Sequence, residues 1–203
     1  MSKTLTNEQI TQLANQHAID PASLKAVIEV ECRGNGFDKH GKPVILFERH
    51  VFYQRLTKMR WFTHRNRLYD THPSLCNPNW GGYNSHGGNQ QLRLEIASGL
   101  VDSPLCKALA QESCSWGLGQ VMGYHWQSLG YGSIDEFVAQ MERGEYEQMD
   151  AMIRFIKVNG LVGYLNSQNW QGFAYRYNGK AYKRNRYDSK LAQAYQRHVQ
   201  MMA

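Results

Sequence analysis

Glu31 occupies a position in this chain that asks for a chemical explanation. Over residues 21–32 the apolar side chains Leu24, Val27 and Ile28 follow the i, i+3, i+4 pattern, and the next place on that stripe, i+7, is Glu31. A carboxyl group therefore stands where the helical period calls for a core residue. Partial removal from water disfavours its ionised form, so such a group keeps its proton closer to neutral pH. A side chain of this kind can protonate a departing oxygen, as cleavage of a glycosidic bond requires. The alternative is a salt bridge to Arg33 or Arg49 at the rim of the core, and helix spacing alone does not choose between the two. Glu29 lies four residues from Lys25 and is expected to form an exposed pair with it.

Cleavage by water calls for a second group that activates the water or stabilises the cationic transition state. Glu48 and Asp38 are the candidates. Glu48 follows the β-prone run Val44-Ile-Leu-Phe47, and a ribbon folding back would carry it opposite Glu31. Asp38 opens the turn-like Asp38-Lys-His-Gly-Lys-Pro43, where capping its own backbone is the commoner role, so Glu48 is favoured. An ion pair with Arg49, or a cap on a helix beginning at His50, would explain Glu48 equally simply.

Other chemistries find less support. Cys32, Cys76, Cys106 and Cys114 have no CxxC spacing, and the eight histidines have no His-x-x-x-His pair, so no metal and no cofactor are expected. The thiols are expected to be free and mostly buried, with disulfides as the alternative after export. Cys114 and Ser115 have no His and Asp partners that the sequence identifies. The stretch Gly81-Gly-Tyr-Asn-Ser-His-Gly-Gly88 lacks the Gly-Lys-Ser/Thr of a phosphate loop and reads as a flexible loop. Trp116, Tyr124, Trp126 and Trp170 suit either sugar faces or the core, and for any single one the core is expected.

The elements that must position these residues are mostly helices. Thr6 with Gln9 reads as a capping box for a helix to about Ala18, and Asp20-Pro21 opens a second helix to about Cys32, ended by Gly34 and Gly36. A small hairpin or ribbon is expected around Val44–Phe47. Residues 61–89 show little periodicity and read as one long loop over a cleft. Further helices are expected over 90–98, 103–112, 117–122, 133–141, 146–158, 167–177 and from 189 to the end.

At 203 residues and 42% hydrophobic content, one well-buried domain is expected, covering residues 1–203. The formal charge of +6 attracts polyanions without choosing among nucleic acid, anionic cell wall and lipid. That excess is local: Arg176, Lys180, Lys183, Arg184, Arg186, Lys190 and Arg197 gather near the C-terminus with Asp188 as the only acid among them. A solvated helical face is the plain reading, and transient contact of a basic C-terminal helix with an anionic membrane is the hypothesis beside it. No stretch reaches the roughly 20 apolar residues of a membrane span, and MSKTLTNEQI lacks the apolar core of a signal peptide.

Four segments carry a resemblance. Ala26-Val-Ile-Glu-Val-Glu-Cys-Arg-Gly-Asn-Gly-Phe37 resembles the catalytic-helix motif of the lysozyme-like superfamily, in which a Glu followed by a small residue and a Gly ends an apolar helix. Ser115-Trp-Gly-Leu-Gly-Gln-Val-Met122 resembles its Gly-Leu-x-Gln turn, and Ala174-Tyr-Arg-Tyr-Asn-Gly179 its Tyr-Asn-Gly. With Ile45-Leu-Phe-Glu-Arg-His50, they are most similar to the phage-type N-acetylmuramidase family of endolysins.

The resemblance implies an α+β, mainly α-helical, lysozyme-like fold with a small β-ribbon flanking the cleft. It implies hydrolysis of the β-1,4 bond between N-acetylmuramic acid and N-acetylglucosamine, with Glu31 as the acid. Gln120 matches a position that lines the sugar cleft. Tyr177 matches the Tyr that hydrogen-bonds the catalytic carboxyl in the transglycosylase branch, and Ser115 and Asn178 fall in the same motifs as substrate-binding candidates. Cys32, where many relatives have Ser, departs from the pattern, as does Gly179-Lys180 in place of the transglycosylase Ala-Gly. The expected partner is the peptidoglycan glycan strand rather than nucleic acid, and the protein is expected to be a monomer. It is expected to be made in the host cytoplasm and to act in the periplasm once the membrane is permeabilised. A lytic transglycosylase and a noncatalytic wall- or nucleic-acid-binding domain are the rival readings.

Overall fold

The computed structural model describes residues 3–32 and 34–202, with the side chain of Met202 excepted. Two capped helices begin the chain. Thr6 accepts from the Gln9 N–H while the Gln9 side chain accepts from the Thr6 N–H, the reciprocal box the sequence implies, and α1 follows as Asn7–Gln16. The Asp20 carboxylate then accepts from the Ser23 N–H ahead of α2, Pro21–Glu31, whose first residue is a proline with no N–H to waste. Leu24, Ala26 and Val27 are fully buried, so the apolar stripe faces the core as its spacing requires. Fully burying such a leucine or valine contributes about 1.5–3 kcal/mol each.

The small sheet is built from distant pieces of chain. Strand β1, Ile45–Phe47, pairs antiparallel with β2, Cys114–Trp116, with Ile45 opposite Trp116 and Phe47 opposite Cys114. Strand β3, Val121–Met122, adds to the other edge of β2. The expected ribbon is thus present, but its main partner is some seventy residues away rather than a neighbouring hairpin. Locally, a Phe37–Pro43 bridge and the Asp38 N–H on the Lys42 carbonyl close the Asp38 turn.

Between β1 and β2 run α3 (Arg49–Lys58), α4 (Phe62–Thr71), α5 (Gln90–Gly99) and α6 (Pro104–Glu112). The expected loop over 61–89 is therefore corrected: its first third is α4. That helix buries only Leu68 fully, and so gives no apolar stripe to read. The irregular remainder is held by two arginines. Arg49 donates to the carbonyls of Pro73, Asn79 and Trp80 at 3.2, 2.9 and 3.1 Å. Arg93 is fully buried, donates to the carbonyls of Phe47 and Ser74, and lies over the Phe47 ring at 5.3 Å. A buried guanidinium needs such acceptors, and here they fasten the loop to β1.

After β3 come α7 (Ile134–Arg143), α8 (Glu145–Val158), α9 (Val162–Asn166), α10 (Trp170–Tyr177) and α11 (Tyr187–Met202). The helix expected over 167–177 is shorter, because Asn169 caps a new helix by accepting from the Gly172 N–H. Helix α11 lies along α2, with Leu191 and Ala194 fully buried. Glu29 joins the two across solvent: it pairs with Arg197 and His198 on α11 and not, as expected, with Lys25. The four cysteines are free thiols, three buried and Cys32 half-buried. No described helix is long and apolar enough to cross a membrane.

Candidate active site

Glu31 is the last residue of α2, half-buried, on the wall of a cavity of about 260 Å³. The wall is completed by Asn35, by Val44 at the mouth of β1, by Gly117, Leu118 and Gln120 of the β2–β3 turn, and by Tyr187 at the start of α11. Four separate stretches of chain thus converge on one carboxylate. Asn178, which ends α10, donates from Nδ2 to both Glu31 oxygens at 3.1 Å each. Tyr177 packs behind it, stacked on Phe173 with ring centroids 5.2 Å apart. Burial first, and then the neighbouring Glu31 charge, push the Tyr177 hydroxyl far above the usual phenol range, so it stays a neutral donor. The Cys32 thiol is pushed up to about 12 by burial, with the charges of Glu31 and Glu145 adding to it, and is no nucleophile at neutral pH.

The expected helix over 117–122 is replaced by a tight turn. Gly117 has φ +65° and Gln120 φ +48°, both left-handed, which no α-helix admits. The fold holds Gln120 there through its side chain: Oε1 accepts from the Ser115 hydroxyl at 2.7 Å and Nε2 donates to the Gly117 carbonyl at 2.8 Å. Ser115 is buried and orients Gln120, whereas Gln120 itself faces the cavity.

Two residues that sequence reasoning missed hold this arrangement together from α8. Glu145 accepts from the Gly36 N–H at 2.7 Å and the Leu5 N–H at 2.9 Å. Gln148 accepts from the Leu118 N–H at 2.7 Å and donates to the carbonyls of Gly36 and Met141 at 3.2 and 2.8 Å. Both are buried, so the segment after α2 and the β2–β3 turn are tied to one rigid helix. A signal was available: Glu145 lies four residues before Met149 and seven before Met152 on the buried face of α8, the same anomaly that marked Glu31. The helix was expected to begin one residue later, which hid it.

The remaining sequence candidates lie elsewhere. Glu48 follows β1, with its carboxylate accepting from the Tyr83 hydroxyl at 2.9 and 3.2 Å, and His50 Nδ1 stands 3.2 Å away. It does not line the Glu31 cavity, and it makes no side-chain cap on α3. Asp38 caps its own turn, accepting from the N–H groups of His40 and Lys42. Its carboxyl is held below the usual range, chiefly by the Lys42 contact. Arg49 serves the 73–80 loop, and Arg33 lies outside the described residues. Trp116 is buried against Phe137 and belongs to the core. Among the described residues, no group of three His, Cys, Asp or Glu is placed to hold a metal ion.

The comparisons agree with this geometry. The sequence profile of the N-acetylmuramidase family, Muramidase, matches residues 20–199. The crystal structure of the Burkholderia AP3 phage endolysin is similar over 100% of this chain and 74% of that one, with 37% identity and a TM-score of 0.88. No curated protein matches the chain in sequence. The mainly helical, lysozyme-like architecture with its three-stranded sheet is that of the endolysin. A profile match spanning all the elements that converge on Glu31 leaves one conclusion: the chain belongs to the N-acetylmuramidase family of peptidoglycan hydrolases.

Proposed function

We propose that the protein cleaves the β-1,4 bond between N-acetylmuramic acid and N-acetylglucosamine in peptidoglycan, with Glu31 donating a proton to the leaving oxygen. The observation that carries this reading is a carboxylate at a helix end, on the wall of a cavity and gripped through both oxygens by Asn178. Loss of the leaving sugar develops positive charge at the anomeric carbon, and the Glu31 carboxylate left behind stabilises it. Gln120 and Tyr187 border the space the sugars fill, with Ser115 and Tyr177 holding their neighbours in place. The cell-wall strand is then the partner, met in the periplasm after the membrane opens.

The hydrolytic form calls for a second carboxylate, and Glu48, held by Tyr83 beyond the Glu31 cavity wall, is the candidate for it. A second form, in which the muramic 6-hydroxyl attacks, needs no second carboxylate. It is favoured by the cavity wall, where Glu31 is the only acid among the described residues. Mass spectrometry of digested sacculi separates the two: reducing muramic ends identify hydrolysis and 1,6-anhydro ends identify the intramolecular form. Release of neither kind of end overturns the reading altogether.

A further inference from the structure

We infer that the cationic segment joining α10 to α11 binds the carboxylates of the peptide carried by the muramic residues, so that the protein takes peptide-bearing glycan in preference to bare sugar chains. This rests on the cleft being a peptidoglycan site. The seven cations from Arg176 to Arg197 stand against the single acid Asp188, which leaves sixteen cations and sixteen acids in the rest of the chain. The whole net charge of +6 therefore resides between Arg176 and Arg197, and four of these cations fall on the joining segment. Placement gives that charge its meaning. The segment starts at Asn178, bonded to Glu31, and ends at Tyr187, on the cavity wall. Lys180, Lys183, Arg184 and Arg186 lie between these two site residues, and all four are exposed.

The fold holds this segment in place. Tyr182 is buried beneath it, and a 3-10 turn over Lys180–Asn185 is closed by the Tyr182 N–H on the Gly179 carbonyl. Among the described residues no carboxylate pairs with Lys180, Lys183, Arg184 or Arg186. Asp188, the nearest acid in sequence, accepts from the Ser189 N–H. Four like charges within seven residues repel one another, and an anionic ligand relieves that repulsion. N-acetylglucosamine is neutral, and a bare muramic residue carries only its one lactyl carboxylate, held close to the ring. A peptide caps that group as an amide and carries its own free carboxylates further out on one side of the strand. Arginine and lysine suit these as fork and point charge respectively.

A lipid surface fits less well. An interfacial helix needs a free apolar face; that of α11 is turned to α2 through Leu191 and Ala194, which leaves Val199 and Met201 exposed at its far end, away from the joining segment. Arg197, the cation furthest along, is occupied by Glu29.

The test measures binding apart from catalysis, using full-length protein carrying Glu31→Gln. Its co-sedimentation with intact sacculi is compared with that of the same protein also carrying Lys180→Gln, Lys183→Gln and Arg184→Gln. These three side chains are exposed, and a matching thermal melt verifies the fold. The expected result at low salt is a roughly tenfold weaker association for the triple substitution. Sacculi whose carboxylates have been amidated should bind the parent no better than the variant. Equal binding of both proteins to intact sacculi, or a loss that persists on amidated sacculi, overturns the proposal. So does stronger, substitution-sensitive binding to phosphatidylglycerol vesicles than to sacculi, which would assign the surface to lipid. If charge-dependent binding holds while wild-type protein releases neither reducing nor anhydro ends, the carboxylate surface stands and the cleavage reading alone falls.

Discussion

At the scale of single residues, Glu31 and Asn178 should separate cleanly in kinetics. Replacing the acid by Glu31→Gln keeps size and removes the transferable proton, so turnover should fall by about 10²–10⁴-fold, the usual worth of a positioned acid. The melting temperature should stay near that of wild type, because the side chain lies on a cavity wall and not in the packed core. Turbidity loss of chloroform-treated cells beside a thermal melt checks both halves. If lysis is unchanged, Glu31 is not the proton source. Asn178 works through the acid: its Nδ2 donates to both Glu31 oxygens and fixes the carboxyl on the cavity wall. Asn178→Ala lets that carboxyl swing, so kcat should fall by about 10–100-fold while KM stays near that of wild type. A KM that rises while kcat is unmoved would place Asn178 on the sugar instead of on the acid.

At the scale of elements, the site depends on α8 gripping two turns, and this makes Gln148 the most exacting position outside the cavity. Gln148→Leu keeps the bulk but leaves the Leu118 N–H and the carbonyls of Gly36 and Met141 without their partner. Each buried group so abandoned costs about 1–3 kcal/mol, so a fall of at least that size is expected in urea denaturation, with activity falling as the turn loosens. Gly117→Ala tests the same joint from the other side: at φ +65° its new Cβ would lie 2.4 Å from Gln148 Cδ. An alanine there that left the urea midpoint unchanged would show that the joint is slack.

Much of this scaffold was legible from the chain. The capping box at Thr6, the Asp20-Pro21 start and the misplaced Glu31 are local signals, and local physics decides them. What escaped was non-local. The Gly117–Met122 stretch reads as helix until Gln148 and β1 are there to hold its left-handed turn. Helix α4 has too little buried surface to betray its period. The ribbon that would set Glu48 opposite Glu31 is not a local hairpin: β1 pairs with Cys114–Trp116, and the Glu48 carboxylate accepts from Tyr83. The acid was legible because one side chain broke a pattern. Its companions were not, because four distant segments supply them.

At the scale of the whole molecule, the buried thiols and one buried phenol predict how the fold yields to alkali. Burial pushes Cys32 and Cys76 each up to about 12, and Tyr131 likewise to about 12. In the unfolded chain thiols release their protons near pH 8.5 and the phenol near 10, as free side chains do. Between those values and about 12, the unfolded chain has lost protons that the fold still holds. Rising pH therefore favours unfolding: the stabilisation is complete below the unfolded values, declines from about pH 8.5, and is exhausted once the folded groups also ionise. The urea midpoint, measured in reductant, should thus fall between pH 7.5 and pH 10.5. Lysines and other surface groups contribute to that fall as well, so the informative quantity is the difference between wild type and Cys76→Ala. The variant starts from a lower midpoint, because a fully buried side chain has been trimmed. It should then lose less on going to pH 10.5, because one of the protons that drive unfolding is gone. Parallel declines in the two proteins would mean that Cys76 ionises as readily inside the fold as outside it, against the packing that encloses it.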